Sequence, residues 1–188
     1  MQPRISIITI CYNAASTITR TLRSVSAQTY PNIQYLIIDG ASKDNTLELV
    51  RELAPEAEVY SERDKGIYDA MNKGLDRATG DYVWYVNAGD ALASPTTVED
   101  LVRATCTGDS LPDVLYGDTR LIDAEDHDLG LRRLRPPHQL DWRSFRAGML
   151  VCHQAFVAKR SISPHYDLSY RFSADVDWCI RVLKEAKT

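Results

Sequence analysis

The first half of the chain alternates between short, solidly apolar runs and amphipathic stretches. Arg4 to Cys11 (RISIITIC) is apolar and β-branched, without polar alternation, as in a strand buried on both faces. Tyr12-Asn13-Ala14-Ala15 breaks it, Ser16 has the chemistry of an N-cap, and Ile18, Leu22 and Val25 recur at helical spacing. After the turn at Tyr30-Pro31-Asn32 a second buried strand runs from Ile33 to Asp39. Gly40 to Asp44 then leads into a helix carrying Leu47, Leu49, Val50 and Leu53. A short strand over Glu58 to Ser61, a helix from Gly66 to Ala78 and a strand from Asp81 to Val86 complete a β-α-β-α-β-α-β rhythm. Short links between such units predict a mostly parallel sheet in an α/β fold, with right-handed crossovers and helices on both faces.

The second half is less regular. The pattern predicts a helix over Pro95 to Thr105, a strand over Asp113 to Leu121, an exposed turn over Asp123 to Arg135 around Gly130, and a strand over Met149 to Ala158. It also predicts a last helix, capped by Ser173, from Ala174 to about Ala186. With no linker or repeat, residues 1–188 read as one domain, about 1–90 forming one side of a site and about 91–188 the other. The pattern stops just after the last helix, as expected of a domain trimmed from a longer protein.

Composition narrows the partners. A formal net charge of −4 offers no basic face for a nucleic acid. Cys11, Cys106, Cys152 and Cys179 form no C-x-x-C pair, which argues against zinc or dithiol chemistry and for a reducing, cytoplasmic setting. No leader-like segment opens the chain, and no apolar run approaches the ~20 residues that span a bilayer.

In open α/β sheets ligands sit outside the carboxyl ends of the strands, where strand order reverses. Those ends supply Cys11-Tyr12-Asn13, Asp39-Gly40, Ser61-Glu62-Arg63-Asp64 and Asn87-Ala88-Gly89-Asp90. With strand order 3-2-1-4, Asp39 and Asp90 flank the first strand ~10 Å apart, about the span from a nucleobase to its diphosphate. Asp39 reads either as a turn residue or as the acceptor for a pyrimidine N–H. Asp90 reads as a turn residue or as a ligand to Mg²⁺ or Mn²⁺, which suit oxygen donors. Gly66 at a helix start lets backbone N–H groups face an anion; Lys65 would meet a phosphate, and Asn72 or Lys73 donor oxygens, although a solvated helix face is the simpler account of Lys73. Asp175 and Asp177 are either dipole-favoured residues of a first helical turn or candidates for a general base. His153, inside an apolar run, is equally a satisfied core histidine or a substrate contact.

The stretch from Arg4 to Thr46 resembles the opening of the family 2 glycosyltransferases, which have the GT-A fold. The motifs are Cys11-Tyr12-Asn13, Gln28-Thr29-Tyr30-Pro31 and Asp39-Gly40-Ala41-Ser42-Lys43-Asp44-Asn45-Thr46. Asp64 to Gly74 looks like the family's donor-side helix. Asn87 to Asp90 stands in the place of its D-x-D motif, and Ala174-Asp175 in that of its Glu-Asp pair. The resemblance covers nearly the whole chain. It implies a nucleotide-diphosphate sugar donor held by Cys11, Tyr12, Asn13, Asp39 and Ser42 at the first two strand ends. Asp64, Lys65, Tyr68 and Asn72 would add to it from the donor-side helix, and Asn87 from the fourth strand. It further implies Asp39 on the base, UDP-sugars favoured, a divalent cation on Asp90 and Asp175 as the base of an inverting transfer. His153 and Asp177 are left as acceptor-side alternatives. The expected acceptor is a cell-surface glycan or a lipid-linked sugar, with the protein at the inner face of the cell membrane. Ile10 and Cys11 replace the family's Pro and Thr, Asn87 replaces the first Asp of D-x-D, and Ala174 replaces Glu. These departures keep a non-catalytic nucleotide-sugar-binding module as a rival. A nicotinamide oxidoreductase would need G-x-G-x-x-G after the first strand, where Cys-Tyr-Asn-Ala-Ala-Ser stands.

Overall fold

In the computed structural model, which describes residues 2–108 and 110–187, the apolar runs become strands of one sheet. β1 (Ile5–Cys11), β2 (Ile33–Asp39), β3 (Glu58–Ser61) and β4 (Tyr82–Tyr85) are joined by α1 (Ile18–Ser26), α2 (Thr46–Leu53) and α3 (Ile67–Arg77). After α4 (Thr97–Thr105) come β5 (Val114–Tyr116), β6 (Arg120–Ile122), β7 (Asp128–Leu131), β8 (Phe156–Lys159) and α5 (Ala174–Glu185). The sheet order is β3-β2-β1-β4-β8-β5, with β1 to β4 mutually parallel and β8 antiparallel to both β4 and β5. The expected 3-2-1-4 order is therefore present, extended by two strands from the second half.

β1 is apolar on both faces because both are covered. Ile8 and Ile10 pack with Met71 and Leu75 of α3 and with Trp178 and Val182 of α5. Ile5 and Ile7 point the other way, toward Val25 of α1 and Val98 and Val102 of α4. Trp178 anchors the first layer: it is fully buried, and its ring lies 5.2 Å from that of Tyr166 and 5.8 Å from that of Phe156. No helix among the described residues is long and apolar enough to cross a membrane.

Four expectations are corrected. Ser16 is exposed and is not the N-cap of α1; Thr17 holds that position, and no side chain caps the helix. The strand expected over Asp113 to Leu121 is two strands, because Gly117 to Thr119 carry the chain from the sheet edge into a separate ribbon. The exposed turn expected around Gly130 is β7, paired antiparallel with β6 and tied by the Arg120–Asp128 ion pair. The reversal lies earlier, where the Asp123 carboxylate accepts the N–H groups of Glu125 and His127. Finally, the strand expected over Met149 to Ala158 begins only at Phe156, because His153–Ala155 close a single tight helical turn. Ser173 does precede α5, but in a left-handed conformation (φ 62°) and without a side-chain cap.

α3 lies close on the sheet at Gly74, where an added Cβ would stand 2.6 Å from Ile8 Cγ2. Gly74→Val should therefore cost about 1–3 kcal/mol through overpacking. A lower urea midpoint with an unchanged m-value would show it; an unchanged midpoint would mean that α3 shifts freely.

Candidate functional site

The carboxyl ends of β1, β2 and β3 are joined through one side chain. Cys11, Asp39 and Ser61 are register neighbours across the three strands. Asp39 is wholly buried. Its Oδ1 accepts from Ser42 Oγ (2.5 Å) and the Cys11 thiol (3.7 Å), and its Oδ2 from Ser61 Oγ (2.6 Å) and Ser42 N–H (3.0 Å). A carboxylate offers about four lone-pair sites, and these donors fill them. The sequence offers Asp39 either to a base N–H or to a turn; in this structure it is buried and its oxygens meet the chain's own donors, as in the turn reading. Cys11 is drawn into the same set of bonds. It lies beneath the site, its thiol on Asp39, and burial and the Asp39 charge push its pKa far up. Ser42 acts one layer further out, accepting the Asn13 N–H at 2.8 Å. Asn13 in turn accepts from Lys43 N–H through Oδ1. Asn13 (φ 47°) and Ala41 (φ 63°) both adopt left-handed backbone here, and such strained residues cluster at functional sites.

Above this floor is a cavity of about 360 Å³ lined by Tyr12, Gly40, Ala41, Lys43, Arg63 and Asp64. Tyr12 is 61 % exposed, an aromatic face with nothing yet stacked on it. Gly40 keeps the cavity open, since a Cβ there would stand 2.6 Å from Asp64 Oδ2 and 3.2 Å from the Tyr12 ring. Asp64 Oδ1 accepts the Gly66 N–H, and Asp69 accepts the Lys65 N–H. The Gly66 N–H thus donates to the chain's own carboxylate. The Lys65 side chain is exposed. Lys73 is tied to Arg63 O and paired with Glu62 and Asp69, as a structural residue would be. Asn72 is engaged within the chain: its amide donates to Tyr166 O at 3.0 Å and accepts from Tyr166 N–H at 2.7 Å.

The 87–90 loop closes the other side of β1. Thr21 of α1 clamps it, donating to Asp90 O at 2.6 Å and accepting the Gly89 N–H at 3.0 Å. The Asp90 carboxyl is raised above the usual carboxylate range by burial, against hydrogen bonds from the Gln154 side chain and Asn87 backbone. Asn87 Oδ1 is buried and has no hydrogen-bond partner among the described residues. An orphan amide oxygen and a desolvated carboxylate in one short loop are oxygen donors of the kind a hard divalent cation takes. A second acidic group, Asp123, Glu125 and His127, lies in the β6–β7 turn. There Asp123 is consumed by the turn's own N–H groups and the His127 ring, so it offers a cation less.

Asp175 is half-buried in the first turn of α5, with Tyr68 Oη 3.4 Å from its Oδ1. Burial and the Asp175 charge raise the Tyr68 phenol. His153 resolves to the core reading: it is buried, its Nε2 lies 2.8 Å from Tyr166 Oη, and it packs among Tyr85, Tyr166 and Trp178. Burial lowers its pKa to about 4, against the pull of Asp175, so it is neutral at physiological pH. Asp177 is bound to Arg181 Nε at 2.7 Å.

The sequence reading missed Thr21, Lys43, Arg63 and Gln154. Lys43 and Arg63 carried a signal, each being a cation just after a strand end. Gln154 carried none, because only the antiparallel return of β8 brings it to Asp90.

Asp39→Asn would set an amide NH₂ against donors that now meet oxygen. The fold should lose about 1–3 kcal/mol. Chemical denaturation reads this directly, and an unchanged midpoint would show that Asp39 is not the tie between the strand ends.

Comparison with known proteins agrees with this architecture. The family model described as glycosyl transferase family 2 matches residues 6–165. A protein of Mycobacterium tuberculosis (strain H37Rv) described as an uncharacterized glycosyltransferase is 33% identical over 186 residues, covering 95% of this chain and 68% of its own length. The fold is similar to that of S. aureus TarS 1-349 in complex with UDP-GlcNAc, with a TM-score of 0.79 at 17% identity, over 98% of this chain and 54% of that one. It is also similar to glucosyl-3-phosphoglycerate synthase of Mycobacterium tuberculosis in complex with Mn²⁺, UDP and glucosyl-3-phosphoglycerate (TM-score 0.65, 17% identity, 98% of this chain, 66% of that one). This chain thus spans about half the length of the TarS fragment. With the GT-A sheet order and the family model matching most of its length, the chain belongs to glycosyl transferase family 2.

Proposed function

We propose that the chain transfers a glycosyl group from a UDP-sugar to a hydroxyl of a glycan or lipid-linked acceptor, with inversion at the anomeric carbon. The observation that supports this reading is a pair of half-buried carboxylates on fixed supports: Asp90 in the loop after β4, whose backbone Thr21 clamps, and Asp175 in the first turn of α5, with Tyr68 Oη 3.4 Å from its Oδ1. The reading divides the chain near residue 90, the first part holding the donor and the second supplying the acceptor side.

The 360 Å³ cavity suits the base. The Tyr12 face offers stacking. The uracil edge presents acceptor, donor, acceptor, and Asp64 with Lys43 and Arg63 presents one acceptor and two cationic donors. Guanine, with two adjacent donors, fits that set less well. Asn87 Oδ1 and the Asp90 carboxylate would hold Mg²⁺ or Mn²⁺ against the diphosphate; the solved relative with UDP also carries Mn²⁺. When bound, such a cation neutralises charge on the leaving diphosphate. Lys65, exposed at the start of α3, stands ready for phosphate oxygens. Asp175 takes the proton from the acceptor hydroxyl, and the neutral His153 behind it adds no competing charge. A single displacement inverts configuration. The work would be done on the cytoplasmic side of the membrane, where nucleotide sugars are made.

Calorimetry with UDP, TDP and GDP in Mn²⁺ tests the donor half. Asp90→Asn should abolish Mn²⁺-dependent UDP binding, and Asp64→Asn and Gly40→Ala should each weaken it; tighter GDP binding would remove the uracil assignment. Because burial raises the Asp90 pKa, its carboxyl protonates earlier on acidification than an ordinary one. Mn²⁺-dependent binding should therefore fade above the usual carboxylate range. The linkage sign agrees: without metal, a raised carboxyl contributes stability below its unfolded pKa that is lost as pH rises, and metal restores it. For the catalytic half, Asp175→Asn should keep UDP affinity and lower transfer by ~10²-fold or more. Asp177→Asn should cost about 0.3–1 kcal/mol of stability and little rate. The reverse pattern would move the base to Asp177, and binding without any transfer or hydrolysis in the parent protein would favour the non-catalytic module.

A further inference from the structure

Tyr68 and Asn72 stand one turn apart on α3, and helix side chains four residues apart share a face. Both grip the same residue. The Asn72 amide holds the Tyr166 backbone through its N–H at 2.7 Å and its C=O at 3.0 Å. The Tyr68 ring stacks on the Tyr166 ring, with centres 5.8 Å apart and planes 18° apart. The Tyr166 ring also stacks on Trp178 of α5, at 5.2 Å and 10°. Trp178 is fixed in turn, its indole N–H donating to Pro164 O at 2.7 Å. It follows Asp175 by three residues, so the two share a face of α5. The Tyr68 phenol closes the circuit, its Oη 3.4 Å from Asp175 Oδ1. One ring stack thus sets both the phenol and the helix turn that carries the carboxylate. The contact is long for an O–H donor, as hydrogen bonds at catalytic groups often are before substrate binds.

A carboxylate that takes a proton needs one oxygen within hydrogen-bond reach of the acceptor hydroxyl. A donor on the other oxygen fixes the side-chain torsion that brings it there. Burial and the Asp175 charge raise the Tyr68 phenol, against the N–H groups of Ala174 and Asp175, so it keeps its proton at physiological pH and stands as a donor. The other titratable groups that feel the Asp175 charge are neutral as well: burial strips the proton from His153 and holds it on Tyr166 and Cys179. A neutral donor orients a carboxylate at less cost to its basicity than a cation would. Asp177, by contrast, is paired with the Arg181 cation. We propose that Tyr68 is a positioning residue for Asp175: its O–H holds Oδ1 and so presents Oδ2 to the acceptor hydroxyl. The proposal rests on Asp175 being the catalytic base. The family resemblance would instead place Tyr68 on the donor, and the two roles separate by experiment.

Tyr68→Phe removes the O–H and keeps the ring for the stack. Release of UDP from UDP-glucose and UDP-N-acetylglucosamine, with Mn²⁺ present and water as the acceptor, reads turnover, and calorimetry reads UDP affinity. In this variant kcat should fall about tenfold, with KM, UDP affinity and Tm unchanged. An unchanged kcat, beside a strong loss in Asp175→Asn, overturns the positioning role and leaves the base reading standing. A raised KM or weakened UDP binding returns Tyr68 to the donor and likewise overturns it. If Asp175→Asn releases UDP as fast as the parent, the base reading falls and the positioning role with it. Carbon-13 NMR of protein labelled at the tyrosine ζ carbon is independent of turnover. The Tyr68 resonance is identified by its loss in Tyr68→Phe, and its titration midpoint, which Asp175 helps to raise, should drop in Asp175→Asn. Where the parent releases UDP from neither sugar, a lowered midpoint upholds the contact on which the proposal stands, and an unmoved one overturns it.

Discussion

The site depends on a carboxylate that touches no solvent. Asp39 gathers Ser42, Ser61 and the Cys11 thiol at the ends of three parallel strands. A buried carboxylate without partners would be strongly destabilising, so these donors are a condition of the fold and not an embellishment. Once Asp39 fixes Ser42, Ser42 fixes Asn13, and Asn13 fixes Lys43. The two left-handed residues, Asn13 and Ala41, are held in place by this chain of bonds. The cavity floor is therefore rigid before any ligand arrives, and the side chains around it, Tyr12, Lys43 and Arg63, are exposed around a preset opening. Preorganised sites bind without the cost of ordering their own walls.

A second constraint comes from the sheet's change of direction. Four parallel strands place their carboxyl ends together, but they supply only the donor half of the mouth. β8 runs antiparallel beside β4, so the turn that precedes it, and not the one that follows, arrives at the same edge. That brings Gln154 to Asp90 and His153 toward Asp175 from residues far along the chain. The aromatic group of Tyr85, Tyr166 and Trp178 then buries His153 and holds it neutral.

The parallel half was legible because each of its strands is covered on both faces and so writes a continuous apolar run, and because turn chemistry marks each strand end. The bounds of β2 and β3 followed to the residue, and the placing of Asp39, Asp64 and Asp90 near strand ends came with them. The roles of individual polar residues were less legible. Asp39 and Asn72 have the residue types of ligand contacts, and only their three-dimensional partners show both to be satisfied within the chain. The β6–β7 ribbon was missed for a different reason. Its strands are short and exposed, with Arg120, Asp128 and leucines interleaved, so they carry no buried periodicity, and Gly130 drew the turn away from Asp123. Gln154 could not be read at all, since its function arises from a long-range antiparallel pairing that a local pattern does not encode.

The substitution of Asn87 for an aspartate acquires a physical sense from Asp90. Burial already raises the Asp90 carboxyl. A second carboxylate at residue 87 would add like-charge repulsion in the same desolvated space and raise both further. The amide avoids that repulsion while keeping an oxygen, and it leaves that oxygen without a partner in the free protein. On the proposed reading the chain thus brings one full charge and one dipole to the cation, fewer than a hard divalent ion usually collects from protein and solvent. The remaining oxygens must come from water and from the diphosphate itself. Asn87 and Asp90 would then hold the cation in part only, and cation and nucleotide would each bind more firmly when the other is present. The protein's part is to keep Asn87 and Asp90 fixed, which Thr21 does by bonding the loop backbone at Asn87, Gly89 and Asp90.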